Sequence, residues 1–244
     1  DEVGSRGSGL PTLVAAVPFH AVAPGVELGI RQQGNPAPAQ VEDGQLYALK
    51  LDDSSNADRV GPAEWVALDM NLAQLDARAA AMNVGATGYG RPEDLERIGN
   101  SLYVAITSEA RVLSISLGGK PMVNNFVKAG LNVPVENRTA GITGFRNPDN
   151  LANGPDGKLW IVEDNVPSDI WVALPDKDGD GASDGVYLFA TLKDNGAEGT
   201  GIYFGQDPHT LFVNVQHSAT GNDKTMAITH RERGHGHDDD HQDD

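Results

Sequence analysis

Four short apolar runs of the same cast recur along the chain: Leu46-Tyr47-Ala48-Leu49, Leu102-Tyr103-Val104-Ala105, Leu159-Trp160-Ile161-Val162 and Leu211-Phe212-Val213-Asn214. Their leading leucines are 56, 57 and 52 residues apart. Aromatic and branched side chains suit a pleated, half-buried strand. Each run follows turn residues: Glu42-Asp43-Gly44, Gly99-Asn100, Pro155-Asp156-Gly157 and Asp207-Pro208. In Pro155-Asp156-Gly157 the proline presets φ, and Asp and Gly tolerate the tight positions after it. After a polar loop each run has a partner: Trp65-Val66-Ala67-Leu68, Arg111-Val112-Leu113-Ser114-Ile115, Ile170-Trp171-Val172-Ala173-Leu174 and Met226-Ala227-Ile228-Thr229. A period near fifty residues with several short strands per unit predicts propeller blades. The expected fold is therefore all-β, a β-propeller with four visible blades over residues 41–230, as a whole or as part of a larger propeller.

Two kinds of segment depart from the period. Residues 71–82 place Leu72, Leu75, Ala79 and Met82 at roughly helical spacing, which predicts a short helix between blades. Residues 1–40 are rich in Gly, Pro and Ala and read as an irregular lead-in with one strand around Leu13-Val14-Ala15-Ala16-Val17. Residues 231–244 are low in complexity, carry no apolar side chain to bury and are expected to be disordered alone. His235, His237 and His241 in that tail sit among aspartates, a composition that serves either metal binding or solubility. The chain opens at Asp1 without Met, as a mature exported form or a piece of something longer would.

Composition narrows the function. A net charge of −17 leaves no basic surface to neutralise phosphates, which excludes a nucleic-acid binder. Glycine (29) and proline (14) suit many tight turns. No apolar run approaches membrane-spanning length. Cysteine is absent, so neither a disulfide nor a thiolate ligand is available.

Candidate chemistry lies where strands begin. Ahead of the repeated runs stand Arg91-Pro92-Glu93-Asp94-Leu95, Asn147-Pro148-Asp149-Asn150-Leu151 and Glu198-Gly199-Thr200-Gly201-Ile202. Each carries a carboxylate, Glu93, Asp149 or Glu198, and in a propeller such positions converge on the central channel. Converging carboxylates repel and need a cation or shared protons. Oxygen ligands suit calcium or magnesium, or iron and manganese in an oxygen-rich site. Arg91 supplies a fork suited to phosphate or carboxylate. Glu93 and Asp149 could equally cap strand-start turns. A second group, Asp176-Lys177-Asp178-Gly179-Asp180-Gly181-Ala182-Ser183-Asp184, puts carboxylates at positions one, three, five and nine of a loop with glycine at six. That alternation predicts a calcium loop built by Asp176, Asp178, Asp180 and Asp184, although position twelve is Tyr187 rather than an acid. His217, directly after a repeated strand, is a candidate ligand or acid/base group.

These motifs, with Phe145-Arg146 before Asn147 and Thr210-Leu211-Phe212-Val213-Asn214-Val215-Gln216-His217 after Gly201, resemble the PhoX family of bacterial alkaline phosphatases. The resemblance spans about residues 46–217 and corresponds to the C-terminal part of that family. It implies an exported propeller, periplasmic or extracellular, that hydrolyses phosphomonoesters at iron and calcium ions. It would carry metal ligation onto Glu93, Asp149 and Glu198 and phosphate contact onto Arg91, with Asn150 in the same motif as Asp149 and the stretch Glu163-Asp164-Asn165 near the ligand-bearing region. Two departures stand out: the family's iron-bridging cysteine has no counterpart, and its N-terminal ligands are not matched. The remainder would then lie on another polypeptide, or the site is altered.

The resulting expectation is a PhoX-like metal-dependent phosphatase acting on a small phosphorylated substrate. The alternative is a non-catalytic, calcium-stabilised exported propeller that binds surfaces or self-associates. Lactone hydrolysis is a third chemistry served by calcium propellers.

Overall fold

The computed structural model describes residues 14–18, 44–136, 143–193 and 196–229. The histidine-rich tail, most of the lead-in and the first turn therefore lie outside the described residues. The rest is built from antiparallel strands with one helix, which bears out the all-β class.

The first unit holds β1 (Val14–Pro18), β2 (Gly44–Leu51) and β3 (Gly61–Ala67). The second holds β4 (Pro92–Ile98), β5 (Ser101–Ile106), β6 (Arg111–Ser116) and β7 (Met122–Lys128). Gly61 and Pro62 pair with Val123 and Met122, so these two units join as one seven-stranded sheet. The third is β8 (Pro148–Asn153), β9 (Leu159–Glu163), β10 (Asp169–Ala173) and β11 (Val186–Thr191). The fourth is β12 (Glu198–Phe204), β13 (Thr210–Gln216) and β14 (Lys224–Thr229). Each repeated run is the second strand of its unit, and each named partner is the third. The units are blade-like, as expected of a propeller.

The alternation of side chains along the repeated strands explains the packing. Leu102, Val104 and Ile106 face blade one, in a core shared with Leu49, Leu51 and Ala63. Ala105 faces the other way, toward Leu159, Ile161 and Trp171 of blade three. Val162 and Trp160 in turn meet Ile202, Leu211 and Phe204 of blade four. These three cores are thus interfaces between successive blades, built from the two faces of a strand with period two. At blade one, the face that would meet a preceding blade carries Leu46 and Ala48, which pack on the helix instead. At blade four the matching outward positions, Phe212 and Asn214, are exposed.

That helix, α1 (Met70–Asn83), spans the expected segment but turns a different face inward. Its buried residues are Ala73, Ala80 and Ala81, while Leu75 and Met82 are 86% and 55% exposed. The reason is a break at Asp76 (φ −156°, ψ 94°), which shifts the phase of the apolar stripe. Asp69 caps the first half through Asn71 N and Leu72 N, and Asp76 accepts from Ala79 N (2.9 Å) to cap the second. No helix among the described residues is long and apolar enough to cross a membrane.

The first strands β4, β8 and β12 lie side by side and are latched by polar bonds. Asp94 Oδ2 accepts from Leu151 N (2.8 Å), and Asn150 Oδ1 accepts from Gly201 N and from Thr200 Oγ1 (2.9 Å). Asn150→Ala leaves the Gly201 amide without its partner and is expected to lower the unfolding free energy by about 1–3 kcal/mol. Urea unfolding of the two proteins measures the difference.

Candidate functional site

The starts of β4, β8 and β12 and the ends of β5, β9 and β13 share one end of their blades. The registers Pro92 to Ile106, Pro148 to Glu163 and Glu198 to Gln216 fix this. Each first strand is bulged there, between Pro92 and Leu95, Pro148 and Asn150, and Thr200 and Ile202. A bulge re-aims side chains and ends regular pairing. Glu93 and Asp149 fall inside their bulges, whereas Glu198 is the first residue of its strand. Just before the prolines, Arg91 (φ 55°) and Asn147 (φ 44°) occupy the left-handed region, as does His217 (φ 58°) after β13.

These elements bring six predicted residues together. Arg91 Nε donates to Glu93 Oε1 (2.9 Å) and its Nη2 to Asp164 Oδ2 (3.2 Å). Asp164 follows β9 and is held by backbone bonding to Asn147 (2.9 Å). Its carboxyl reaches Glu198 of blade four, which pairs with His217 Nε2 (3.2 Å) and accepts from Gln216 Nε2 (2.8 Å). Asp149 stands among Asp164, Glu93, Asp94 and Arg91. Asn150 points instead into the joint with blade four, where it acts as a latch. Asp94, the equivalent latch between blades two and three, escaped the sequence reading; its place before the repeated Leu, matching Asn150, was the available signal.

The electrostatics follow from too many acids around one guanidinium. Burial, then the charges of Asp164 and Glu93, push Asp149 up to about 6. Asp164 is held below the carboxylate range by its hydrogen bonds to Glu198 and Arg91. Glu198 is raised, first by sharing that bond with Asp164. The two carboxyls are thus pushed apart across one hydrogen bond, Asp164 down and Glu198 up. As a donor set, four carboxylates and an imidazole fit a hard or borderline cation better than a soft one. A cleft of about 270 Å³ opens further along β4, β8 and β12, beside Glu96, Leu151, Ile202 and Tyr203.

The acidic loop lies at the opposite end of blade three, after β10. Ligand atoms of Asp176, Asp178 and Asp184 lie within 4.8 Å of one another. Asp180 is not in this group, and its Oδ1 accepts from Ala182 N (2.7 Å). Asp176 also binds its own loop, accepting from Gly179 N (2.7 Å) and Gly181 N (2.9 Å).

Behind Asp164, Glu163 is fully buried. It accepts from Arg146 N (2.8 Å), Asn165 Nδ2 (3.0 Å) and Trp171 Nε1 (2.9 Å), yet burial pushes it up to about 7.

Residues 122–219 match the family model described as Alkaline phosphatase PhoX. The resemblance is thus borne out over the C-terminal part, which includes Asp149, Asp164, Glu198 and His217 but neither Arg91 nor Glu93. No curated protein matches the chain.

Raised carboxyls set a sign for stability against pH. Glu163 binds its proton more tightly folded than unfolded, so its contribution is complete below the ordinary glutamate range and is lost as pH rises through about 7. In metal-free buffer, unfolding free energy should fall across that window, and Glu163→Gln should flatten the fall. Denaturant melts at several pH values measure both slopes.

Proposed function

We propose that this chain is a PhoX-like, metal-dependent phosphomonoester hydrolase. The observation that carries the reading is the cluster from three blades around Arg91, which coincides with motifs matched in part by the PhoX model. The excess of carboxylate over cationic groups supports bound metal, with Glu93, Asp149, Asp164 and Glu198 as the holding residues and calcium or iron as the ion. A bound ion would polarise phosphoryl oxygens and acidify a bound water. Arg91, half-exposed and tethered by Glu93 and Asp164, is oriented to meet phosphoryl oxygens and to stabilise charge that develops there. Glu198 orients His217, whose exposed imidazole exchanges a proton with the leaving group or with water. The small phosphorylated substrate would approach from outside the cytoplasm, in keeping with the family resemblance.

The Asp176, Asp178 and Asp184 group favours calcium as a structural ion as well, and with it the reading of a calcium-stabilised propeller without catalysis. Under that reading calcium raises the melting temperature and Asp176→Ala abolishes the rise, while phosphatase activity is absent.

The two readings separate in one assay. With calcium and iron supplied, p-nitrophenyl phosphate should be hydrolysed, and Arg91→Ala should lower kcat by roughly 10²–10³-fold. Glu93→Gln should weaken metal dependence. Absence of turnover in folded, metal-loaded wild type, or a Glu93→Gln variant as active as wild type, rejects the phosphatase reading.

A further inference from the structure

One position recurs at the end of the second strand in blades two, three and four. The registers Ile106 to Pro92, Glu163 to Pro148 and Gln216 to Glu198 place Thr107, Asp164 and His217 there. Asp164 and His217 belong to the cluster, whereas Thr107 is fully buried and plays no part in either functional reading. Its amide donates to the Arg91 carbonyl (3.0 Å), within blade two. Its hydroxyl donates to the Pro148 carbonyl (2.8 Å), on blade three. Asp164 repeats this arrangement one blade on: its amide donates to Asn147 O (2.9 Å), and its carboxyl reaches Glu198 of blade four.

The two Thr107 bonds hold the peptide planes that adjoin two cluster residues. A peptide unit is planar, so anchoring its oxygen orients the whole unit. The Arg91 carbonyl belongs to the plane that leaves Arg91, and the Pro148 carbonyl to the plane that enters Asp149. Both donors sit on one residue and are separated by a single torsion, which branching at Cβ stiffens. The turn that carries Thr107 is itself fastened to the chain just before Arg91. Ser108 N donates to Gly90 O (3.1 Å), and Glu109 accepts from Gly90 N while paired with Arg59 and the buried Arg111. Without the Thr107 hydroxyl the Pro148 carbonyl loses a buried donor, and blades two and three lose a tie at the level of the cluster. The pair of Arg91 with Asp164 (3.2 Å) crosses the same joint and so reports on it.

We infer that Thr107 is a positioning residue of the cluster: its hydroxyl sets the place of Arg91 on blade two relative to Asp149 and Asp164 on blade three. It touches neither ion nor phosphate and acts through the two carbonyls it holds. The kinetic consequence rests on the phosphatase reading, whereas the effect on the geometry of Arg91 does not.

Three full-length variants test this. Thr107→Val keeps the shape and removes the hydroxyl, and Thr107→Ser restores it. Thr210→Val is the control, because it removes a buried hydroxyl that donates to Asp207 (2.6 Å) at the opposite end of blade four. The first readout is the nitrogen–proton NMR signal of Arg91 Nε, the atom that donates to Glu93, identified by its loss in Arg91→Lys. It should move in Thr107→Val, return in Thr107→Ser and stay in place in Thr210→Val. The second readout is p-nitrophenyl phosphate turnover with calcium and iron supplied. Thr107→Val should lower kcat by about ten-fold or more, as expected of misplaced groups, with Thr107→Ser and Thr210→Val close to wild type. An Arg91 signal unmoved by Thr107→Val overturns the inference, as does a Thr107→Ser variant as impaired as Thr107→Val. If folded, metal-loaded wild type shows no turnover, the phosphatase reading fails and the Arg91 signal alone decides. If Thr107→Val does not fold, Thr107→Ala removes the same hydroxyl and is judged by the same two readouts.

Discussion

Burial of the two faces of each second strand is the constraint from which the rest follows. A strand with period two can contact a neighbour on each side only if both sets of residues are apolar, and the runs beginning at Leu46, Leu102 and Leu159 meet that condition. Leu102 and Val104 look back to blade one while Ala105 looks on to blade three. Leu159 and Ile161 look back, and Trp160 and Val162 look on. Blade order is therefore written into single strands rather than into linkers. The ends of the series are treated differently. Small alanines of α1 lie over the backward face of blade one, where a helix can approach Ala48 closely. The forward face of blade four, by contrast, mixes Phe212 with Asn214 and Thr225, and so tolerates water.

This packing sets the spacing of the site. Because β4, β8 and β12 are first strands of successive blades, their starts fall at one end of neighbouring layers, and acids far apart in sequence meet there. The latches from Asp94 and Asn150 act at the same level as the bulges, so they hold the bulged segments at fixed separation. Fold and candidate chemistry share residues here: in each of blades two and three, one residue of an adjacent pair binds the next blade while its neighbour turns toward the cluster.

Much of this was legible in the sequence because it repeats. The runs beginning at Leu46, Leu102, Leu159 and Leu211 identified all four second strands, and their partners identified the third strands. Glu93, Asp149 and Glu198 were found by position relative to those runs, and they do gather near Arg91. What escaped depends on geometry with no local signature. The helix presents alanines rather than Leu75 because Asp76 breaks its phase. The union of the first two blades rests on two residue pairs at Gly61 and Pro62. Asp180 stands outside the acidic group of Asp176, Asp178 and Asp184, which alternation along the loop does not reveal. Asp164 gained weight only once the bridge from Arg91 to Glu198 was visible, and the burial of Glu163 and Asp169 is a property of the packed turn, not of their spacing.

Backbone strain gives an independent pointer to the same end of the blades. Arg91, Asn147 and His217 all hold positive φ, a conformation costing about 1–3 kcal/mol for such residues. Two of them precede proline, which further disfavours helical backbone at that position. Their places in the blades correspond, since Arg91 and Asn147 both lead into a bulged first strand. Backbone bonds from Thr107 N to Arg91 O (3.0 Å) and from Asp164 N to Asn147 O (2.9 Å) hold them there. Relief would need only a glycine at either position, and the chain carries instead a guanidinium and an amide. The strain is thus tolerated where those side chains are oriented: Arg91 toward Glu93 and Asp164, and Asn147 toward the carbonyl of Asp164 (3.3 Å). Asp164 is the point on which both converge, and that convergence makes the end of β9, rather than any single first strand, the centre of the cluster.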